Sequence, residues 1–362
     1  MASLATTTTS TDKNSINGIS NKPFMKLGIL LVPEISNLSN LKLAAQAGAT
    51  DIVLPCPGFT LEELDNAVKD MAKHNLKVSV IERFVPHDKI VHNLPGKEEQ
   101  IANIKTLLQN MAKCGVKTLC YNWMPSDDWT RTSTDDPQRG GALSTSFNIK
   151  DTPAEVSGHK KQSKITTADE LWKNLENFLK EILPICEKYE IDLALHPDDP
   201  PVADLHGQPQ IVYDIDHIEK VCELVPSPRN GICFCQGTFA SRGINIPASI
   251  KRLGKKIKFV HARNVICKNK DGTEFYETWQ DTGDIDMYDA MKAYFDAGLQ
   301  CTIRPDHVPT METEDNKLPG YHLLGRLFAL GYLKGLMESV EKSANFMYDS
   351  SMNTSKRRNI RG

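Results

Sequence analysis

Residues 191–201 read IDLALHPDDPP. A short apolar run stops at His196, and the prolines behind it cannot continue a hydrogen-bonded ladder. The same arrangement recurs three times: Cys235 follows GICF, His261 follows IKFV and Asp306 follows CTIRP. Successive members stand roughly 25 to 45 residues apart, the length of one strand, one helix and their loops. A repeating β/α chain with metal-binding side chains at its strand ends is how a (β/α)8 TIM barrel builds an active site.

Working outward, eight short apolar or β-branched runs are expected as parallel strands covered on both faces: 26–31, 51–56, 77–82, 117–123, 191–196, 231–235, 257–264 and 301–305. Helical periodicity falls between them at 40–47, 61–74, 97–112, 168–188, 218–224, 248–253, 287–297 and 323–342. Thr60 with Glu63 makes a capping box, and Gly115 and Gly298 follow helix ends. No glycine-rich phosphate fingerprint follows the first strand, which weighs against a dinucleotide fold. The rhythm breaks once, at the polar stretch 125–166 after the fourth strand, which is expected to be a lid or an ordered rim. The expected organisation is a leader at 1–24, one catalytic barrel at 25–343 and a flexible basic tail at 344–362.

The 362 residues are 40% hydrophobic and 25% charged with a net charge of −3, an ordinary globular composition. That charge gives no reason to expect nucleic acid or a membrane surface as partner. No apolar run approaches the ~20 residues that span a bilayer. Nine cysteines without framework spacing read as reduced thiols in a cytoplasmic protein. The Ser/Thr/Asn-rich first residues lack the apolar core of a secretory signal and read as a disordered leader.

Two imidazoles, a thiolate and a carboxylate suit a borderline cation such as Mn, Fe or Zn and suit Mg or Ca poorly. Singly, each residue has an ordinary reading: a hydrogen-bonded core histidine, a small apolar cysteine, an aspartate capping a turn. Recurrence at successive strand ends is what favours the metal. Nearby, Asp198 or Asp199 is placed to orient a ligand. Arg263 and Arg304 suit a substrate carboxylate, with an ion pair at the barrel mouth as the competing reading. His307 and Tyr321 are candidates for proton transfer.

Several segments in this order resemble D-mannonate dehydratase, a metal-dependent sugar-acid enzyme family with a xylose-isomerase-like barrel. They are CYNWMPSDDWTRT (120–132), residues 169–201 ending in HPDDPP, NGICFCQGTFA (230–240), FVHARNV (259–265), DIDMYDAMKA (284–293), RPDH (304–307) and PGYHLLGRLFALGYLKGLME (319–338). The resemblance covers roughly the last two-thirds of the chain. It implies Mn2+ or Fe2+ held by His196, Cys235, His261 and Asp306, with acid–base work at His307 and Tyr321 assisted by Arg304. Asn122, Asp198 and Arg263 are the expected substrate contacts. The implied reaction removes water from a sugar acid, D-mannonate giving 2-keto-3-deoxy-D-gluconate, with a homo-oligomer possible.

Departures fall around the expected pocket mouth. VADLHGQPQIV (202–212) replaces a GLPRIV-like run, Gln210 stands at the usual arginine, and QGT (236–238) replaces a TGS-like stretch. A closely related acid sugar is therefore an open alternative substrate. A metal-dependent sugar isomerase or epimerase on the same barrel, or a catalytically silent binding homologue, are the rival readings.

Overall fold

The computed structural model describes residues 24–83, 85–125, 129–152 and 165–358, with side chains to residue 344. The leader therefore lies outside the described residues, Phe24 apart, as do 359–362.

Eight parallel strands close into a barrel. In chain order they are Lys26–Leu30, Asp51–Leu54, Lys77–Glu82, Thr118–Asn122, Asp192–His196, Asn230–Cys235, Ile257–His261 and Thr302–Arg304, the eighth pairing back to the first through Lys26–Thr302 and Leu27–Ile303. All eight expected strands are present; some end a residue or more early. The seventh stops at His261, short of the expected 264. Closure is tight where the first and eighth strands meet: a Cβ on Gly28 would lie 2.6 Å from Thr302 Cγ2, so only glycine fits there.

Two apolar layers follow from alternation along the strands. Inside the barrel, Leu30, Val53, Val80, Cys120, Ala194, Cys233 and Phe259 pack together. Outside, the opposite faces pack against the helices. The helix Ala168–Tyr189 shows why: Leu171, Leu175, Phe178, Leu179, Ile182, Leu183 and Cys186 recur at helical spacing and are all buried.

The capping box forms at the helix Leu61–Ala72. Thr60 accepts from the Glu63 backbone N–H at 3.2 Å, and Glu63 accepts from the Thr60 backbone N–H at 3.0 Å. Thr60→Ala is expected to lower stability by about 1 kcal/mol in a denaturant titration while leaving turnover unchanged, since Thr60 does not line the cavity.

One expectation needs correction. The closing helix runs Leu323–Arg358, well past 342, so residues 344–358 are helical where a flexible tail was expected. No glycine or proline lies between Lys342 and Arg358 to end it. The polar stretch after the fourth strand is an ordered rim as far as it is described: strands Ser133–Pro137 and Leu143–Asn148 join the hairpin Val265–Asn269 and Glu274–Glu277 in a four-stranded antiparallel sheet. This sheet stands over the barrel mouth and carries Glu277 into the site.

Candidate active site and metal centre

The carboxyl ends of the strands surround a cavity of about 500 Å3. His196, Cys235 and His261, the last residues of the fifth, sixth and seventh strands, bring one ligand atom each to within 4.8 Å of one another. Asp306 follows the eighth strand, and its Oδ2 lies 3.6 Å from both Cys235 Sγ and His261 Nδ1. Asp306 thus adjoins the group of three through Cys235 and His261.

The donor set fits a divalent cation. His196 Nδ1 sits 2.6 Å from the Pro197 carbonyl, which can only accept, so Nδ1 carries the proton and Nε2 keeps a lone pair for a metal. Both ring nitrogens of His261 are buried without a well-aligned hydrogen bond, although Nε2 lies 3.0 Å from Glu82 Oε1. Buried polar atoms left unmatched are costly, and a cation among them would remove that cost. Cys120 and Cys233 also approach His261, but burial raises both thiols.

Around the metal position the charges are paired. Arg304 forks onto Glu82, Nε to Oε2 at 3.0 Å and Nη2 to Oε1 at 2.8 Å, and its Nη1 holds Asp306 Oδ1 at 3.1 Å. Burial alone would raise the Glu82 carboxyl, but Arg304 and His261 overcome it and hold it well below the usual range. Beside this pair, Arg131 forks onto Asp199 at 2.8 and 3.0 Å and reaches Glu277 at 2.5 Å. Arg263 donates to the same two carboxylates at 2.8 and 2.9 Å. Burial opposes ionisation of Glu277, but Arg131, His307 and Arg263 bring it down to about 2.

Glu277 governs the next group. Its Oε1 lies 2.6 Å from His307 Nδ1, the shortest of three contacts there, with Arg263 Nη1 at 3.0 Å and Trp129 Nε1 at 3.2 Å; a proton on Nδ1 answers the carboxylate and leaves Nε2 basic. That Nε2 lies 2.8 Å from the Tyr321 hydroxyl, which accepts from Arg83 Nη1 at 2.5 Å. Burial pulls the His307 imidazole down towards its neutral form and pushes the Tyr321 phenol up to about 12.

Not every expected contact reaches the cavity. Arg304 and Asn122 line it, and Asn122 Oδ1 is held by His87 Nε2 at 3.1 Å. Arg263 does not line it: fully buried, it is consumed by Asp199, Glu277 and Thr238, which is the ion-pair reading rather than the carboxylate clamp. Asp198 is turned away too, accepting from the Val212 backbone N–H at 2.6 Å, and burial raises it to about 7. Its neighbour Asp199 faces the cavity instead, because consecutive extended residues point to opposite sides. Asp198→Asn is expected to leave turnover near wild type in a steady-state assay, since the amide oxygen can replace the one acceptor in use.

Sequence reasoning missed Glu82, Arg83, Arg131 and Glu277. Glu82 ends a β-branched run as the metal ligands do, and the same strand-end logic applied to hard acids would have found it. Glu277 follows a turn at Asp271–Gly272, a hairpin signal. Arg131 carries no local signal.

Comparison with known proteins agrees with this geometry. The family model described as D-mannonate dehydratase (UxuA) matches residues 37–347. The chain belongs to the D-mannonate dehydratase family. A mannonate dehydratase of Thermotoga petrophila is 34% identical over 317 residues, covering 78% of this chain and 87% of that protein. The crystal structure of mannonate dehydratase from Streptococcus suis serotype 2 superposes with a TM-score of 0.80 at 31% identity, covering 89% and 95% of the two chains. A xylose isomerase domain protein from Planctomyces limnophilus, at 14% identity, 88% and 100% coverage and a TM-score of 0.58, shares the barrel fold. The D-mannonate dehydratase match begins at residue 37, so it takes in strands two and three, where no segment carried the resemblance. No helix among the described residues is long and apolar enough to cross a membrane.

Proposed function

We propose that this chain removes water from a sugar acid, D-mannonate giving 2-keto-3-deoxy-D-gluconate, with Mn2+ or Fe2+ held by His196, Cys235, His261 and Asp306. The observation that supports the reading is that His307 and Tyr321, 2.8 Å apart, open on the same cavity as His196, His261 and Asp306, with Cys235 Sγ 3.6 Å from Asp306 Oδ2. Family membership supplies the reaction class.

The chemistry asks for a proton to leave carbon 2, beside a carboxylate, while the hydroxyl on carbon 3 departs. A divalent cation, when bound, offsets the negative charge that collects at the carboxylate end. The chain's own residues do the rest. Arg304 keeps Asp306 ionised and oriented and adds positive charge at the cavity wall. Glu277 fixes the ring of His307, and the Arg131–Asp199–Arg263 network fixes Glu277. Trp129 packs edge-on against His307 with centroids 5.1 Å apart and its Nε1 3.2 Å from Nδ1, which helps hold the ring. Asn122 and His87 offer polar contacts to substrate hydroxyls from the fourth strand and the loop after the third.

The test is anaerobic. Metal-stripped protein is reloaded with Mn(II) or Fe(II), incubated with D-mannonate, and scored for the 2-keto-3-deoxy acid. Metal-dependent product is the expected result. Bound metal with no product from D-mannonate or other aldonic acids would sink the reading, and conversion of neutral aldoses would replace it with an isomerase.

A further inference from the structure

Arg326 is a buried cation in an unusual setting. It lies in the first turns of the closing helix, is 0% exposed, and donates Nη1 to the Leu30 carbonyl. Its Nε and Nη2 have no hydrogen-bond partner among the described residues, and no carboxylate pairs with it among the described ion pairs. A buried guanidinium without a counter-charge is disfavoured unless something nearby becomes negative. The group beneath it is an aromatic ring: Arg326 Cζ lies 4.9 Å from the centroid of Tyr321.

A second guanidinium converges on the same ring. Arg83 Cζ is 5.1 Å from the Tyr321 centroid, and its Nη1 donates to the hydroxyl at 2.5 Å. Arg83 holds a left-handed backbone conformation, φ +72°, which a side-chain-bearing residue adopts only at a cost. Such strain persists where surrounding structure demands the placement. On the other side of the hydroxyl stands His307, whose far nitrogen faces the Glu277 carboxylate. Two guanidinium groups therefore converge on the tyrosine, while the far nitrogen of the histidine faces Glu277 at 2.6 Å and Arg263 Nη1 at 3.0 Å.

We propose that Arg83 and Arg326 are positioning residues that favour the Tyr321 phenolate, so that Tyr321 gives a proton to the departing hydroxyl while His307, steadied by Glu277, takes one from carbon 2. This rests on the dehydratase reading. The step balances. The carbon 2–hydrogen bond breaks, its proton goes to His307 Nε2, and its electron pair forms the carbon 2–carbon 3 double bond. The carbon 3–oxygen bond breaks, and the oxygen leaves as water with the proton of Tyr321. The resulting enol becomes the 2-keto acid. The proton on His307 then returns to the phenolate along the 2.8 Å path between the two groups, restoring both. The charged or titratable groups facing Tyr321 in this scheme are Arg83, Arg304, Arg326, Asp306 and His307.

The experiment compares Arg326→Met, Arg83→Met and Arg83→Lys in the metal-loaded enzyme. Arg83→Met should lower kcat about 10²-fold with little change in KM, as for loss of a donor to a developing oxyanion. Arg83→Lys should recover part of that. Arg326→Met should lower kcat about 10-fold, in line with a desolvated cation–π contact, without lowering the melting temperature, because an uncompensated buried charge has gone. Fluorotyrosine at position 321, a more acidic phenol, should restore kcat in Arg326→Met. Full kcat in Arg326→Met would overturn the proposal. So would a loss of kcat that tracks a lowered melting temperature and is not restored by fluorotyrosine, since that marks a merely structural role. If the unmodified enzyme turns over no sugar acid, the dehydratase reading fails by itself. Fluorine NMR of fluorotyrosine 321 without substrate then still decides the arginines' part: the phenol should ionise at higher pH in Arg326→Met, and an unchanged titration would refute it.

Discussion

His307→Asn is expected to cut turnover by about 10² to 10⁴-fold, the range associated with a positioned acid–base group, while the bound metal stays at the unmodified level. The amide is close in shape to the imidazole edge it replaces, and its N–H can still donate to Glu277, so the charged network behind it should survive. Glu277 also keeps Arg131, Arg263 and Thr145 as partners. The variant loses only the basic nitrogen 2.8 Å from Tyr321. Single-turnover kinetics with metal analysis on the same sample separates the two effects. Unchanged turnover would remove His307 from the chemistry, and lost metal would mean that it acts through Asp306 beside it.

Cys235→Ala is expected to act the other way round, on the metal first. Changing a residue that merely orients a ligand costs about 10- to 100-fold in metal affinity, so removing a donor should cost at least the upper end of that range. Cys235 is fully buried at the end of the sixth strand, and Thr238 donates to its sulfur at 3.0 Å, as expected for a sulfur held in place to act as a ligand. Metal content after dialysis against a weak chelator is the readout, and it needs no substrate. Cys235→Ser, which keeps a small polar donor, should fall between alanine and cysteine. Full occupancy in the alanine variant would place the metal elsewhere, with the thiols of Cys120 and Cys233 beside His261 the next group to test.

Most of the barrel and the four converging donors were legible in the chain because both are local. A buried parallel strand is a short apolar run, its neighbour arrives one helix later, and its last inward residue is readable from alternation. That is why His196, Cys235, His261 and Asp306 fall at one mouth on sequence grounds. The same locality placed the Thr60–Glu63 cap. Where long-range pairing decides, locality fails. The rim sheet joins 133–148 to 265–277, segments separated by three barrel strands, and neither half signals the other. Glu277 reaches His307 only because that sheet forms.

Charge partners were illegible for a related reason. Arg263 and Arg304 look alike in sequence, each close behind an apolar residue near a strand end. Yet Arg263 is enclosed by Asp199, Glu277 and Thr238 while Arg304 keeps a face on the cavity. Asp198 and Asp199 are adjacent, and only the path of the chain through the prolines turns the second inward. Composition and spacing alone determined the architecture of this protein and the gathering of metal-ligand residue types at its strand ends, because apolar periodicity and strand-end position are properties of short segments. Tertiary structure alone decided which charges are neutralised and which face substrate, because a buried charge takes its role from whatever the rest of the chain folds against it.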